Sequence, residues 1–415
     1  MTSEFEDGSN VGAGAEIVAV CGGITAARGM KASGVFAGIR KTKKDVAIIY
    51  SEVPAVAAGV YTQNKVKAAP VLVCMDRIGA GQIQAIVVIS GNANACTGEP
   101  GLRDAYECTE VLAHELGIDP ALVAMASTGV IGVRLPMDRV VPGIRDAAHS
   151  LSREGGHYAA EAIMTTDTFS KECAVRVRIG GRDVVVGGMA KGSGMIHPNM
   201  ATMLAFISTD VAIDVGLLRQ ALGSAVARSF NSITVDGDTS TNDMAVVMAN
   251  GLAGNEPITG QGEDYERFRE ALETVCMELA KMIARDGEGA TKLVEVVVRN
   301  AGTEADARKV AMAIAKSPLV KTAIFGADAN WGRIMCAAGY SGAEFDPDRV
   351  DIYIGPEKVA EDGMALPFSE VQAKAALLGA DVRITVDLKD GCAEAKVWTC
   401  DLTFDYVKIN ASYRS

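Results

Sequence analysis

Thr202 stands in Ala201-Thr202-Met203, after the glycine-rich segment GGMAKGSGMIHPNM (187–200) and at the head of an apolar strand pattern, MLAFISTD (203–210). A threonine hydroxyl held against the carbonyl of the preceding residue can attack it, turning the amide into an ester that water then cleaves. The product is an N-terminal threonine whose α-amino group, with a reference pKa of roughly 7.7 to 8.0, can act as base for its own hydroxyl. One residue then supplies nucleophile and base, in a chain that offers no histidine–carboxylate pair at a recognisable spacing. Taken alone, a single threonine at a strand start is far more often structural.

An acyl enzyme also needs donors aimed at the developing oxyanion. The turn Ser127-Thr128-Gly129 follows an apolar strand pattern, ALVAMAS (121–127), and could provide them; by itself it reads rather as a plain strand-ending turn. Gly187, Gly188, Gly192 and Gly194 allow close backbone approach or positive φ. They match neither G-x-x-x-x-G-K-[ST] nor G-x-G-x-x-G, so a phosphate loop is not expected.

Six separated motifs, in order, resemble the glutamate N-acetyltransferase family of arginine biosynthesis, also called ornithine acetyltransferase. They are STGVIG, AIMTTDT (162–168), AKGSGMIHPNMATML, NSITVDGDTSTND (231–243), DGEGATK (286–292) and GADANWGRI (326–334), and the likeness runs from about Gly22 to Ser415. It implies self-cleavage into 1–201 and 202–415, assembled as an α2β2 heterotetramer. It also implies a ping-pong reaction in which Thr202 takes acetyl from N-acetylornithine and gives it to glutamate. Thr128 and Gly129 fall on the oxyanion-hole pair of the family. Lys191, Glu288, one of Thr165 and Thr166, Asn410 and Ser415 fall on its substrate-binding positions, together with Thr202. Lys191 could then hold a substrate carboxylate and Glu288 a substrate amine. Members of broader activity also take acetyl-CoA as donor, though no residue here can be assigned to CoA; no cofactor and no metal are expected. A related self-processing aminopeptidase is the alternative, and the Lys191 and Glu288 pair favours the transferase.

Around these residues, apolar runs at 45–51, 70–75, 83–90 and 121–127 read as strands, with helices at 101–117 and from Pro136 to His149. A hairpin (173–179 and 182–189) turns at Gly180-Gly181. Helices at 215–230 and 263–287 follow, then KLVEVVVR, a helix at 303–316, TAIF (322–325), VDIYI, a helix near 368–378, DVRITVDL and AKVWTC. Strands come in groups with helices between, which predicts an α+β or layered mixed architecture; the resemblance implies more closely a layered mixed-sheet sandwich with helices outside, of the self-processing N-terminal-threonine acyltransferase kind, plus a smaller C-terminal α+β region. The expected domains are 1–295 and 296–415. Apart from the resemblance, the C-terminal NASYRS reads as a disordered tail.

Composition closes off other classes. The chain is 49% hydrophobic and 22% charged over 415 residues, a globular balance. A net charge of −12 without a long basic block argues against nucleic acid. The basic cluster from Arg40 to Lys44 reads as a solvated loop. Nine scattered cysteines without a C-x-x-C pair argue for a reducing compartment and against a disulfide scaffold or a zinc site. The acidic, Gly-rich start lacks the pattern of a secretory signal, and nothing reaches membrane-spanning length, so a cytoplasmic enzyme acting on small molecules is expected. The acidic run VDGDTSTND departs from EF-hand spacing and reads as backbone capping in a tight turn.

Overall fold

A computed structural model describes residues 17–197 and 203–412. Ala201, Thr202 and Ser415 lie outside the described residues. The fold is α+β, built on two sheets.

Among the described residues nine strands form one hydrogen-bonded sheet. Its hinge is the sixteen-residue strand Val46–Tyr61. The first part of that strand pairs with Gln82–Asn92 (Val46 opposite Ile89) and with Met30–Val35, and its last part pairs with Met244–Ala249 (Tyr61 opposite Met244). The register shifts between Tyr50 and Ala55, so one strand serves both halves of the sheet. A single apolar cluster holds Ile49, Ile86 and Val88 from one half and Met189, Phe206 and Val246 from the other. The halves therefore close on each other as a sandwich. Helices Val215–Arg228 and Glu263–Arg285 pack on one outer face, and Gly98–Leu116 and Met137–His149 on the other.

The smaller sheet has six strands, all between residues 293 and 400, and its first strand, Leu293–Ala301, runs across the expected boundary at 295/296. Helices Glu304–Lys316, Pro318–Phe325 and Trp331–Gly339 bury Val310, Ile324 and Ile334 against it. Trp398 and Cys400 of its last strand enter the core of the larger body, beside the long helix Glu263–Arg285. The buried Lys321 ties the two together, donating to the Val235 carbonyl at 2.6 Å and to Thr399 Oγ1 at 3.0 Å.

Two expected strands are helices. PVLVCM (70–75) lies inside helix Ala69–Gly79, where Pro70 stands in the first turn and needs no N–H partner. Its buried Val71, Cys74 and Ile78 recur three and four residues apart, with Leu72 and Met75 facing out. A six-residue apolar run is too short to separate that period from a strand's. TAIF closes helix Pro318–Phe325, which starts on the capping hydroxyl of Ser317. Asn410, Ala411 and Ser412, the described part of NASYRS, which sequence alone left as a tail, belong to helix Phe404–Ser412. Among the described residues no helix is long and apolar enough to cross a membrane.

Candidate active site

Strand ends and the loops after them converge on one cavity. Thr128, Gly129, Thr165, Thr166, Lys191, Glu288 and Asn410 all line it, so every site residue expected from the sequence and described in the structure is brought together. Among the described residues Ala93, Ile131, Gly194, Met195 and the run Ser240-Thr241-Asn242 also line it.

Thr128 and Gly129 end strand Val123–Val130, which runs parallel to Gln82–Asn92. Gly129 has φ +132°, and a β-carbon there would stand 2.3 Å from the Gly91 carbonyl carbon. Only glycine fits, because the ladder shifts register at Gly91 and Asn92 and the two backbones nearly touch. Asn242 pins this strand end: its Nδ2 donates to the Ala93 carbonyl at 2.7 Å and to the Ser127 carbonyl at 2.8 Å. Asn242 was not foreseen, since a polar run of VDGDTSTND type gives no sign of which side chain faces inward.

Lys191 ends strand Arg182–Lys191 and lies opposite Leu204 in the antiparallel ladder. Its ammonium is buried and donates to Thr128 Oγ1 at 3.4 Å. Burial pushes the Lys191 ammonium below the usual lysine range, against the opposing pull of Asp167.

Thr165 and Thr166 follow helix Gly156–Ile163. Thr166 Oγ1 and Ser193 Oγ share a hydrogen bond of 2.6 Å, and Arg40 donates to the carbonyls of Met164 (2.6 Å) and Thr165 (3.0 Å). The basic cluster that read as a solvated loop thus sends one arginine back to hold the threonine loop.

Glu288 follows the long helix, its backbone N–H bonded to the Ser193 carbonyl at 2.8 Å. Gly194 makes room for it: a β-carbon there would meet the Glu288 carboxylate at 2.4 to 2.6 Å. Asn410, on the C-terminal helix, donates to Glu288 Oε2 at 2.8 Å, and Tyr406 of the same helix donates to Asp236 Oδ2 at 3.3 Å. Asp236 also accepts the backbone N–H groups of Met195 (2.6 Å), Ile196 (2.9 Å) and Asp238 (3.2 Å), the capping role expected of this run.

Asp243 is fully buried and accepts the Met203 N–H at 2.9 Å. Burial raises its carboxyl well above the usual range. Its Oδ2 has no hydrogen-bond partner among the described residues.

The cavity therefore offers a buried cation at one wall, a carboxylate at another and a glycine-bearing strand end whose backbone borders the ligand space. That arrangement suits a small molecule carrying both a carboxylate and an amine.

Residues 31–415 match the ArgJ family model. The chain is 58% identical over 399 residues to the arginine biosynthesis bifunctional protein ArgJ of Symbiobacterium thermophilum, over 95% of this chain and 99% of that protein. Among solved structures it resembles the arginine biosynthesis bifunctional protein argJ of Bacillus halodurans. That likeness has 55% identity and a TM-score of 0.50 and covers 51% of this chain and all of that one. It also resembles the ornithine acetyltransferase of Mycobacterium tuberculosis complexed with ornithine, at 39% identity and a TM-score of 0.41, over 44% of this chain and 98% of that one.

Proposed function

Because the chain belongs to the ArgJ family, and so is an acyltransferase of arginine biosynthesis, we propose that it moves acetyl from N-acetylornithine to glutamate through an acetyl ester on Thr202. The observation that carries this reading is the single cavity in which the buried Lys191, Glu288 and the Thr128-Gly129 strand end meet. A free amino acid has a charge at each end, and a buried ammonium and a carboxylate in one small cavity give each a partner.

Self-cleavage comes first. The Thr202 hydroxyl adds to the Ala201 carbonyl, the C–N bond breaks as the nitrogen takes up a proton, and water hydrolyses the resulting ester. Three observations favour 201/202. Lys191 pairs in register with Leu204, only two residues beyond Thr202. The Met203 N–H is anchored on Asp243. A cut there divides 415 residues into 201 and 214, and the solved Bacillus halodurans chain, matched along its whole length, corresponds to 51% of this one.

In turnover the freed α-amino group takes the hydroxyl proton as oxygen attacks the acetyl carbonyl. Backbone N–H groups at Thr128 and Gly129 receive the oxyanion, and the proton passes to the departing ornithine amine. Glutamate's neutral amine then attacks the ester carbonyl, the acyl C–O bond breaks, and the amine's proton passes by way of the α-amino group to the Thr202 oxygen, restoring the hydroxyl. In this reading Ser415, like Asn410, is a substrate-binding residue, and the fragments assemble as α2β2. The relatives' name declares two functions, and we take the second to be acetylation of glutamate from acetyl-CoA.

Supplying N-acetylornithine and glutamate is expected to yield ornithine and N-acetylglutamate in equal amounts; peptide hydrolysis without transfer would overturn the reading. Acetylation of glutamate with acetyl-CoA as sole donor tests the second function. Gly194→Ala probes the Glu288 grip separately. The new methyl meets the far end of a side chain, not backbone. The melting temperature should therefore hold while KM for the amino-acid substrate rises about tenfold, as expected for lost ground-state binding.

A further inference from the structure

Lys191 is 3% exposed, and the hydrogen bond it makes among the described residues goes to a neutral hydroxyl. An ammonium so placed needs a counter-charge to remain charged. Four ionisable groups from four different elements act on it electrostatically: Asp167 in the loop after helix Gly156–Ile163, Lys171 at the first position of strand Lys171–Ile179, Asp243 just before strand Met244–Ala249, and Glu288 beyond helix Glu263–Arg285. Burial is the largest influence and disfavours the charge; Asp167 is the strongest in its favour, and Lys171 opposes it.

Of the three carboxyls, Asp167 is the standing anion. Asp243 is pushed towards its neutral form by burial, and Glu288 is engaged by Asn410 and offered to the substrate amine. Burial alone would raise the Asp167 carboxyl too, but the ammonium groups of Lys191 and Lys171 outweigh it and hold it well below the usual range. Its bonds fix it in place. Oδ1 accepts Lys171 Nζ at 2.7 Å and the Gly192 N–H at 2.7 Å, and Oδ2 accepts the Thr165 N–H at 2.9 Å. Lys171 is itself anchored on Asp286 at 2.5 Å, at the end of the long helix.

We propose that Asp167 is a positioning residue for the reaction: clamped by Lys171, its carboxylate ties the Thr165-Thr166 loop to the backbone beside Lys191 and supplies the counter-charge that keeps the Lys191 ammonium available to a substrate carboxylate. This rests on Lys191 gripping that carboxylate. A merely structural ion pair makes a different prediction, because breaking it from either side weakens the fold alike. Counter-charge acts with a sign. Removing the anion makes Lys191 lose its proton at lower pH; removing the neighbouring cation makes it keep the proton to higher pH.

The test measures kcat and KM against pH for wild type, D167N, K171M and K191M with one substrate, whose own titration is common to all. In D167N the alkaline fall of kcat/KM is expected to move about one unit lower, with KM raised about tenfold and kcat changed far less. In K171M the fall moves the other way. Should K171M not fold, D167N/K171M removes both charges of that pair and leaves Asp286 held by the Thr168 N–H and hydroxyl; because Asp167 acts on Lys191 more strongly than Lys171 does, its fall lies between those of D167N and wild type. Lower melting temperatures with the alkaline fall unmoved in D167N would overturn the proposal. If K191M keeps wild-type KM, the Lys191 reading itself fails; if K191M loses binding while D167N titrates as wild type, only the role of Asp167 fails.

Discussion

Thr202→Ala is expected to leave a single 415-residue chain and to lower acetyl transfer by about 10⁴-fold or more, the scale seen when the nucleophile of a covalent mechanism is removed. Two losses coincide in this variant. The hydroxyl that would attack Ala201 is gone, so no cut occurs, and without a cut there is no α-amino group at position 202 to act as base. Thr202→Ser separates them: it keeps a hydroxyl, and should still yield two fragments and measurable transfer. Mass spectrometry and an acetyl-transfer assay on the same preparations check both statements. Full transfer by uncut Thr202→Ala would leave no role for this residue.

The next largest effect is expected from Lys191→Met. The side chain is buried, so its loss leaves a substrate carboxylate in a dry site without its cation, a change that typically costs about 2 to 5 kcal/mol. That corresponds to a fall in kcat/KM of roughly 30- to 5,000-fold, carried mainly by KM if the contact is equal in ground and transition states. The pH sign follows from the direction of the shift. The protonated form binds, and burial sets its pKa below the ordinary lysine value, so wild-type kcat/KM falls as pH rises through that depressed value and Lys191→Met lacks this fall. Stability should not follow activity. Burial of the ammonium disfavours the folded state below the folded pKa, while its loss takes from Asp167 one of the two cations that hold its charge, so with these opposed effects the methionine variant is expected to melt close to the wild-type temperature at neutral pH.

Much of this was readable from residue order where a local pattern coincides with a structural end. Lys191 and Thr128 sit at the ends of clear apolar strand patterns. The hairpin turn Gly180-Gly181 takes positive φ at both positions, +53° and +73°, as a two-residue turn of this kind requires. Helices were misread where the apolar run was short, as in Ala69–Gly79, whose one side packs into the sandwich interior and the other into an outer core. The C-terminal helix was not foreseen, since Phe404 and Val407 are exposed and no amphipathic stripe marks it; within it the family resemblance pointed to Asn410 alone.

The site's supporting groups were the hardest to foresee. Asp167 and Lys171 stand four apart, a spacing that usually marks a solvated pair, yet both are fully buried because the partner that completes them, Asp286, is more than a hundred residues away. Arg40 hid in a run of surface lysines, and Asn242 in a polar turn. In each case the side chain is identified by what it reaches across the fold, which a linear pattern does not carry.

The most direct test of the account is the intact mass of purified protein before and just after brief exposure to N-acetylornithine. Two fragments meeting at 201/202 are predicted, with the one beginning at Thr202 gaining the mass of one acetyl group and losing it when glutamate is added. A single uncut chain that still transfers acetyl, or an acetyl group carried anywhere other than Thr202, would contradict it.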